Sequence, residues 1–133
     1  TLGYDLERQK RFKWAVNPST GKQLPYDFWL PDHNIVIELD GPQHFRQVAG
    51  WTPPEETQIK DRLKEILAVK NGITIIRVLQ EDVLDDQNDW DHILSRSILR
   101  LRSTPCITQV YDGIEVDIVY KTKLNFIGTR DVV

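Results

Sequence analysis

Two short runs of residues, separated by a four-residue turn, constrain the fold of this chain more than any other feature. The first run, Tyr26–Leu30, is aromatic, and the second, Ile35–Asp40, is strand-like and alternating. Because successive side chains of a strand point to opposite faces, Glu38 and Asp40 share a face. The intervening residues include proline and asparagine, which favour turns. The pattern therefore predicts an antiparallel pair of strands that brings Asp27 beside the two other acids at one end of a sheet.

Composition limits the class of protein. A chain of 133 residues with 40% hydrophobic content predicts one globular domain. It contains no apolar run approaching the roughly 20 residues that span a bilayer, and no secretory leader, so we expect neither a membrane protein nor a secreted one. A lone cysteine, Cys106, is compatible with an intracellular setting in the cytoplasm or nucleus. The absence of methionine, even at position 1, suggests a piece of a longer polypeptide with other domains.

The net charge of −3 is unusual for a nucleic-acid-binding domain, whose phosphate partners favour clustered lysine and arginine. The charges are segregated, however. Bases cluster between Arg8 and Lys13, whereas acids cluster between Asp82 and Asp91. A metal-dependent enzyme that acts on phosphates can be acidic at its centre and basic at its rim.

The flanking segments predict how the sheet continues. Leu6–Val16 alternates loosely and predicts a first strand, joined to Tyr26–Leu30 through a dense turn cluster. A capping-box pattern begins at Thr52 and predicts a helix that ends at Asn71 and Gly72. Its apolar stripe is expected to pack on the sheet and comprises Ile59, Leu63, Ile66 and Leu67. Two charged residues on another side of this helix, Asp61 and Lys64, need not be buried.

The second half of the chain predicts a parallel strand, a helix and a hairpin. Ile73–Leu79 is a β-branched run with little alternation, as expected for an interior strand that lies parallel to its partner. Trp90–Leu101 is amphipathic and predicts a helix, with Arg96 and Arg100 on an ordinary solvated face, and Pro105 ends it. Ile107–Tyr120 contains an Asp-Gly turn, typical of a hairpin appended to the fold. The fold class is therefore α/β with a mixed sheet flanked by helices.

The central acids suggest metal chemistry. Oxygen ligands from Asp27, Glu38 and Asp40 suit a hard cation such as Mg²⁺ or Mn²⁺, which can polarise a phosphate and activate water. His44 follows the strand and can transfer protons near neutral pH. Asp61 could orient that histidine or join the ligand set, and spacing alone leaves both roles open.

Several motifs occur in the order expected of one nuclease superfamily. They span roughly Leu6 to Asp82 and comprise Tyr26–Phe28, Ile37–Gly41, His44, Lys60–Arg62 and Asn71–Val78. Together they resemble the PD-(D/E)xK nucleases, and within them the branch of very-short-patch repair endonucleases and EDxHD homing endonucleases of phages and large DNA viruses.

The resemblance implies a restriction-endonuclease-like fold and Mg²⁺-dependent (or Mn²⁺-dependent) hydrolysis of DNA. It implies a nuclease core over residues 1–103, without an upstream helix of the longer chain, and a β extension of the same domain over 104–133. By position, Asp27, Glu38 and Asp40 correspond to metal ligands, His44 to a catalytic histidine and Asp61 to an acid of the following helix. The substrate contacts that we expect are Lys10, Arg11, Lys13, Gln43, Trp51 and Lys64.

Two departures from the superfamily pattern leave alternatives open. The usual lysine of the third strand is Asp40 here, so His44 or Lys64 has to serve in its place. The glutamate expected on a helix before the first strand has no good counterpart, since Glu7 lies at the start of a predicted strand. The rival hypotheses are an RNA-directed or structure-selective nuclease, an inactive nuclease fold that binds nucleic acid or protein, and a glycosidase with paired carboxylates.

Overall fold

A mixed sheet of six strands forms the centre of the computed structural model, which describes residues 3–42 and 54–119. The strands occur in the spatial order β1 to β6. Three helices of the described residues lie between them in sequence. The elements are β1 (Glu7–Lys10), β2 (Tyr26–Leu30), β3 (Ile35–Asp40), α1 (Pro54–Lys70), β4 (Thr74–Leu79), α2 (Gln80–Leu84), α3 (Trp90–Leu99), β5 (Ile107–Tyr111) and β6 (Ile114–Ile118).

The strand directions confirm the α/β prediction. β1, β2 and β3 are successively antiparallel, and β4 lies parallel to β3 after the crossover that contains α1. β5 then pairs in parallel with β4, and β6 pairs antiparallel with β5. The predicted C-terminal hairpin therefore exists, but it continues the sheet, because β5 covers the second edge of β4.

The two faces of the sheet carry separate apolar clusters, as the alternation in β3 predicts. Ile35 and Ile37 pack with Ile98 and other residues of α3 on one face. Val36 packs with Ile75 and with Ala68 of α1 on the other. All six residues of β4 are buried, in agreement with its predicted interior position. Glu38 and Asp40 consequently lie on the α1 face, each only 3% exposed.

Helix α1 ends where it was predicted to end, but its side chains are not buried as predicted. It ends at Lys70, and Gly72 has a φ of +80°, a conformation that glycine adopts without strain. Leu63 is buried as expected, but Ile59 is 47% exposed, so its predicted packing is wrong. Thr52 lies outside the described residues.

The first strand is shorter than predicted. It covers Glu7–Lys10, whereas Leu6–Val16 was expected. Gln9 has a φ of +51°, and the chain turns at Phe12, whose carbonyl oxygen accepts from the amide of Ala15. Only an isolated bridge from Val16 to Gln23 continues the pairing in this part of the chain. The rings that suggested a strand instead form a compact aromatic group.

Three further details concern the C-terminal half. Helix α3 ends at Leu99, two residues before the predicted end, where the backbone of Arg100 becomes extended, and the Arg102 side chain donates to the carbonyl oxygen of Ser97 at 2.7 Å. The acidic segment after β4 begins with the short helix α2. The Asp112–Gly113 turn has positive φ at both residues, which confirms the predicted hairpin.

No helix of the described ranges is long and apolar enough to cross a membrane.

Candidate functional site

Asp27 and Glu38, the acid pair of the site, lie where β2 and β3 begin to separate. The regular ladder stops at Phe28, opposite Ile37. Beyond this point the amide of Asp27 donates to Glu38 Oε2 at 2.7 Å, and the amide of Leu39 donates to Asp27 Oδ2 at 2.8 Å. Two carboxylates thus replace backbone carbonyls as acceptors. The sheet itself fixes their positions, and it brings Asp27 and Glu38 together as the sequence predicted.

A lysine from α1 completes this group. The Lys64 ammonium forms a buried ion pair with Glu38 Oε1 and lies 5.2 Å from the ring centre of Tyr26. The Tyr26 hydroxyl in turn donates to the carbonyl oxygen of Lys64 at 2.7 Å, which ties the helix to β2. The expectation that Lys64 need not be buried is wrong, since its side chain is only 12% exposed.

Burial dominates the electrostatics of the pair. It raises the pKa of the Glu38 carboxyl, the Lys64 ammonium opposes that rise, and the nearby Asp27 carboxylate adds to it. Burial, with a contribution from Glu38, also raises the pKa of the Tyr26 hydroxyl, so this group stays protonated. Glu38 is therefore a carboxylate whose ionised form depends on a neighbouring cation.

The second acidic group surrounds Arg77, the partner of Glu38 across β3 and β4. Its guanidinium donates to Asp40 Oδ1 at 2.8 Å and to Glu65 Oε2 at 2.6 Å. It also contacts Asp61 through the backbone oxygen at 3.1 Å and Oδ1 at 3.6 Å. Burial lowers the pKa of Arg77, but the carboxylates, Glu65 foremost, outweigh it and raise that pKa. Arg77 is a permanently charged centre, 1% exposed.

The structure places the two remaining predicted acids in this second group. Asp40 also accepts a hydrogen bond from the Tyr111 hydroxyl on β5, so both its oxygens are engaged by protein donors. Asp61 was expected to need no burial, and this is wrong, because it is 8% exposed and lies against Arg77. Glu38 and Asp40 thus lie on one face of β3 but have different partners, since Glu38 contacts Lys64 and Asp27 whereas Asp40 contacts Arg77 and Tyr111.

The remaining residues singled out from the sequence belong neither to the acid pair nor to the group around Arg77. Gln43, His44 and Trp51 lie outside the described residues. Lys10 pairs with Glu7 at 3.6 Å, and the side chains of Arg11 and Lys13 are exposed near the start of β2. Arg100, predicted on a solvated helix face, instead lies just beyond α3 and pairs with two acids of β6, Glu115 and Asp117.

Three residues of the site were not singled out from the sequence: Glu65, Arg77 and Tyr111. Arg77 had a usable signal, because it is the one charge in a run predicted to be buried on both sides, and a buried charge needs partners. Glu65 lies one turn after Asp61 on the same helix and supplies such a partner.

The capacity of the site to hold a metal ion rests on its described donor side chains. They contain no group of three or more histidine, cysteine or acidic side chains arranged to hold an ion. Mg²⁺, however, is commonly held by one or two carboxylates with waters and substrate phosphates. Asp27 and Glu38 are hard oxygen donors, and each carboxylate oxygen has lone pairs beyond the one used here. This pair therefore fits a two-carboxylate site, whereas Asp40 is committed to Arg77.

Comparison with known proteins gives no relative. No family model, no curated protein and no solved structure matches the chain. The interpretation of the site therefore depends on its residues and their geometry.

Proposed function

We propose that the chain is a metal-dependent nuclease that hydrolyses DNA phosphodiester bonds, with a restriction-endonuclease-like fold of the PD-(D/E)xK type. The observation that carries the proposal is the contact of Lys64 with Glu38, beside Asp27. The superfamily motif combines two acids and a lysine, and this sequence has Asp40 where the lysine is usual. A lysine supplied from α1 restores the same three charges at one point of the sheet.

The order of elements also supports the proposal. An antiparallel unit of β1 to β3 leads through α1 to the parallel strand β4, as the resemblance implies. The acids lie at the end of β3 from which the chain continues toward His44. A role of His44 in moving a proton rests on the resemblance, because His44 lies outside the described residues.

The chain's own groups would act in distinct ways. Asp27 and Glu38 would hold a hard divalent cation, which when bound polarises the phosphodiester and makes water more acidic. Lys64 carries positive charge beside the place where the phosphate oxygen gains negative charge, and it opposes the rise in the pKa of Glu38 that burial causes. Arg77 holds α1 against β3 and β4 and so positions Lys64.

The test is cleavage of supercoiled plasmid DNA and of circular single-stranded DNA with Mg²⁺, Mn²⁺ or EDTA. We expect nicking with either ion and none in EDTA. Asp27→Asn and Lys64→Met should each lower the rate about a hundredfold, as loss of a charge-stabilising group commonly does. Asp32→Asn is the matched control, because Asp32 is an exposed acid at the opposite end of β2, and it should retain the full rate.

Binding of Mn²⁺, measured by titration calorimetry, gives an independent readout. The ion should bind the native chain and bind Asp27→Asn at least tenfold more weakly. Cleavage that persists in EDTA and in Asp27→Asn would refute the mechanism. A chain that neither binds Mn²⁺ nor cleaves DNA would instead favour the inactive binding module.

A further inference from the structure

We infer that the substrate of this site is held as a single strand, with its bases stacked on an aromatic and basic arm formed by residues 10–14. This inference rests on the proposed function, since it names the form of nucleic acid that the same site takes. The arm reads Lys10, Arg11, Phe12, Lys13, Trp14, with three cations, two aromatic rings and no acid.

The rings of the arm form a stack. Phe12 and Trp14 lie with ring centres 4.5 Å apart and an interplanar angle of 18°. Trp29 meets Phe12 edge-on at 5.2 Å. Both rings of the arm are half-buried, so part of each reaches solvent. The Lys10 ammonium lies 5.4 Å from the centre of Phe12, where a base could replace it while the cation moves to a phosphate.

The stack is connected to the acid pair by direct contacts. Tyr26 lies 5.8 Å from Phe12 and 6.1 Å from Trp14, and Lys64 lies over the same tyrosine ring. On the other side, Gln9, next to the arm, donates to Asp27 Oδ1 at 3.3 Å. The arm thus adjoins the strand that carries Asp27, since Lys10 pairs with Tyr26 between β1 and β2, and a nucleic-acid strand bound along the arm leads toward Asp27.

The positive charge of the arm also favours binding of a nucleic-acid strand. Three positive charges occur in five residues of a chain whose net charge is −3. Arg11 and Lys13 are exposed and alternate with the rings. Sites for single-stranded nucleic acid combine cations that follow the backbone with rings that stack on bases. Paired bases in a duplex are already stacked on one another, so rings of this kind gain contact only with unpaired bases.

The test compares ligands with equal numbers of phosphates. Binding of fluorescein-labelled twelve-nucleotide oligo-dT, an abasic strand of equal length and a twelve-base-pair duplex is measured by anisotropy in EDTA. Oligo-dT should bind roughly tenfold more tightly than the abasic strand, the order expected for stacking of one base. The affinity should fall with salt at a logarithmic slope of about −2, for three cations on a single strand. The same measurement with oligo-U distinguishes RNA from DNA.

Matched variants separate stacking from charge. Phe12→Leu should remove the preference for oligo-dT, and Phe12→Tyr, which keeps a ring, should retain it. Lys13→Gln should weaken all strands alike. Trp90→Leu is the control, since Trp90 packs on the opposite face of the sheet, and it should keep the preference. Circular dichroism confirms that each variant is folded, and Phe12→Tyr keeps the comparison informative if Phe12→Leu unfolds.

Equal affinity for oligo-dT and the abasic strand, or tighter binding of the duplex, would overturn the inference. The assay contains no metal and measures no cleavage. A preference for oligo-dT without cleavage under any metal would therefore refute the proposed function alone. Metal-dependent cleavage with no preference for bases would refute the stacking inference alone.

Discussion

Replacement of Arg77 by methionine tests whether the buried acids depend on this one cation. In the native chain the guanidinium makes bonds of 2.8 and 2.6 Å to two buried carboxylates and contacts a third. A hydrogen bond to a charged group contributes roughly 1.5–3 kcal/mol, so two such bonds sum to about 3–6 kcal/mol. Removing one partner of a buried pair typically costs about 3–5 kcal/mol. We therefore expect Arg77→Met to lower the free energy of unfolding by about 4 kcal/mol at pH 7.

The pH dependence of the stability loss in Arg77→Met tests the reasoning more sharply than its size at pH 7. Without the guanidinium, the buried carboxylates around it lose their counter-charge, and an uncompensated buried carboxyl favours its protonated form. A raised carboxyl pKa penalises folding above the unfolded-state value, near 4, and the penalty shrinks as pH falls toward it. The difference between native chain and variant should thus be largest at pH 7 to 8 and clearly smaller at pH 5.

The assay is urea unfolding followed by fluorescence of the four tryptophans. Arg96→Met is the matched control, because Arg96 is an exposed arginine on α3, and it should change stability by less than about 0.5 kcal/mol. If Arg77→Met does not fold at pH 7, Glu65→Gln provides a milder change of about 1–3 kcal/mol. A loss under about 1 kcal/mol for Arg77→Met, equal at both pH values, would refute the reasoning.

Three further changes test other contacts. Tyr111→Phe removes one donor from buried Asp40 and should cost about 1–2 kcal/mol in urea unfolding, and an unchanged midpoint would show that the hydroxyl is dispensable. Gly113→Ala should cost about 1–2 kcal/mol in thermal unfolding, because φ is +82° and a Cβ would lie 3.3 Å from the backbone oxygen of Asn88. Arg100 and Thr108 lower the pKa of Asp117, although burial alone raises it. Asp117→Asn should therefore cost about 0.5 kcal/mol at pH 7, since the pair is partly exposed, and nothing at pH values below the native pKa, where native Asp117 is also neutral. A cost that does not shrink as the pH falls through the native pKa of Asp117 would contradict the ionic origin.

Periodicity and turn residues were enough to predict most elements of the fold. The alternation in β3 placed Glu38 and Asp40 on one face, and the β-branched run predicted an interior β4. The first strand was overestimated because alternating rings between Phe12 and Trp14 resemble a strand, whereas here they stack on each other. Local sequence cannot distinguish these outcomes, since both bury every second residue of the segment.

The site was predictable where it depends on neighbouring strands and unpredictable where it depends on distant ones. Asp27 and Glu38 come together through a hairpin, a local feature of the chain. Whether Asp40 faces a metal or a cation depends on Arg77, 37 residues later, and on Tyr111, 71 residues later. Helical spacing showed that Asp61 and Lys64 were one turn apart, but the burial of both follows from how α1 lies on the sheet.

The parallel pairing of β4 with β5 also has a consequence for biosynthesis. β4 ends at Leu79 and its second neighbour begins at Ile107, so β4, all of whose residues are buried in the finished sheet, emerges from the ribosome with one edge open. At about 5–20 residues per second, synthesis of the intervening segment takes a few seconds. An unpaired apolar edge is a template for aggregation during that interval. Yield of folded protein should consequently respond to translation speed and to chaperones that cover strand edges.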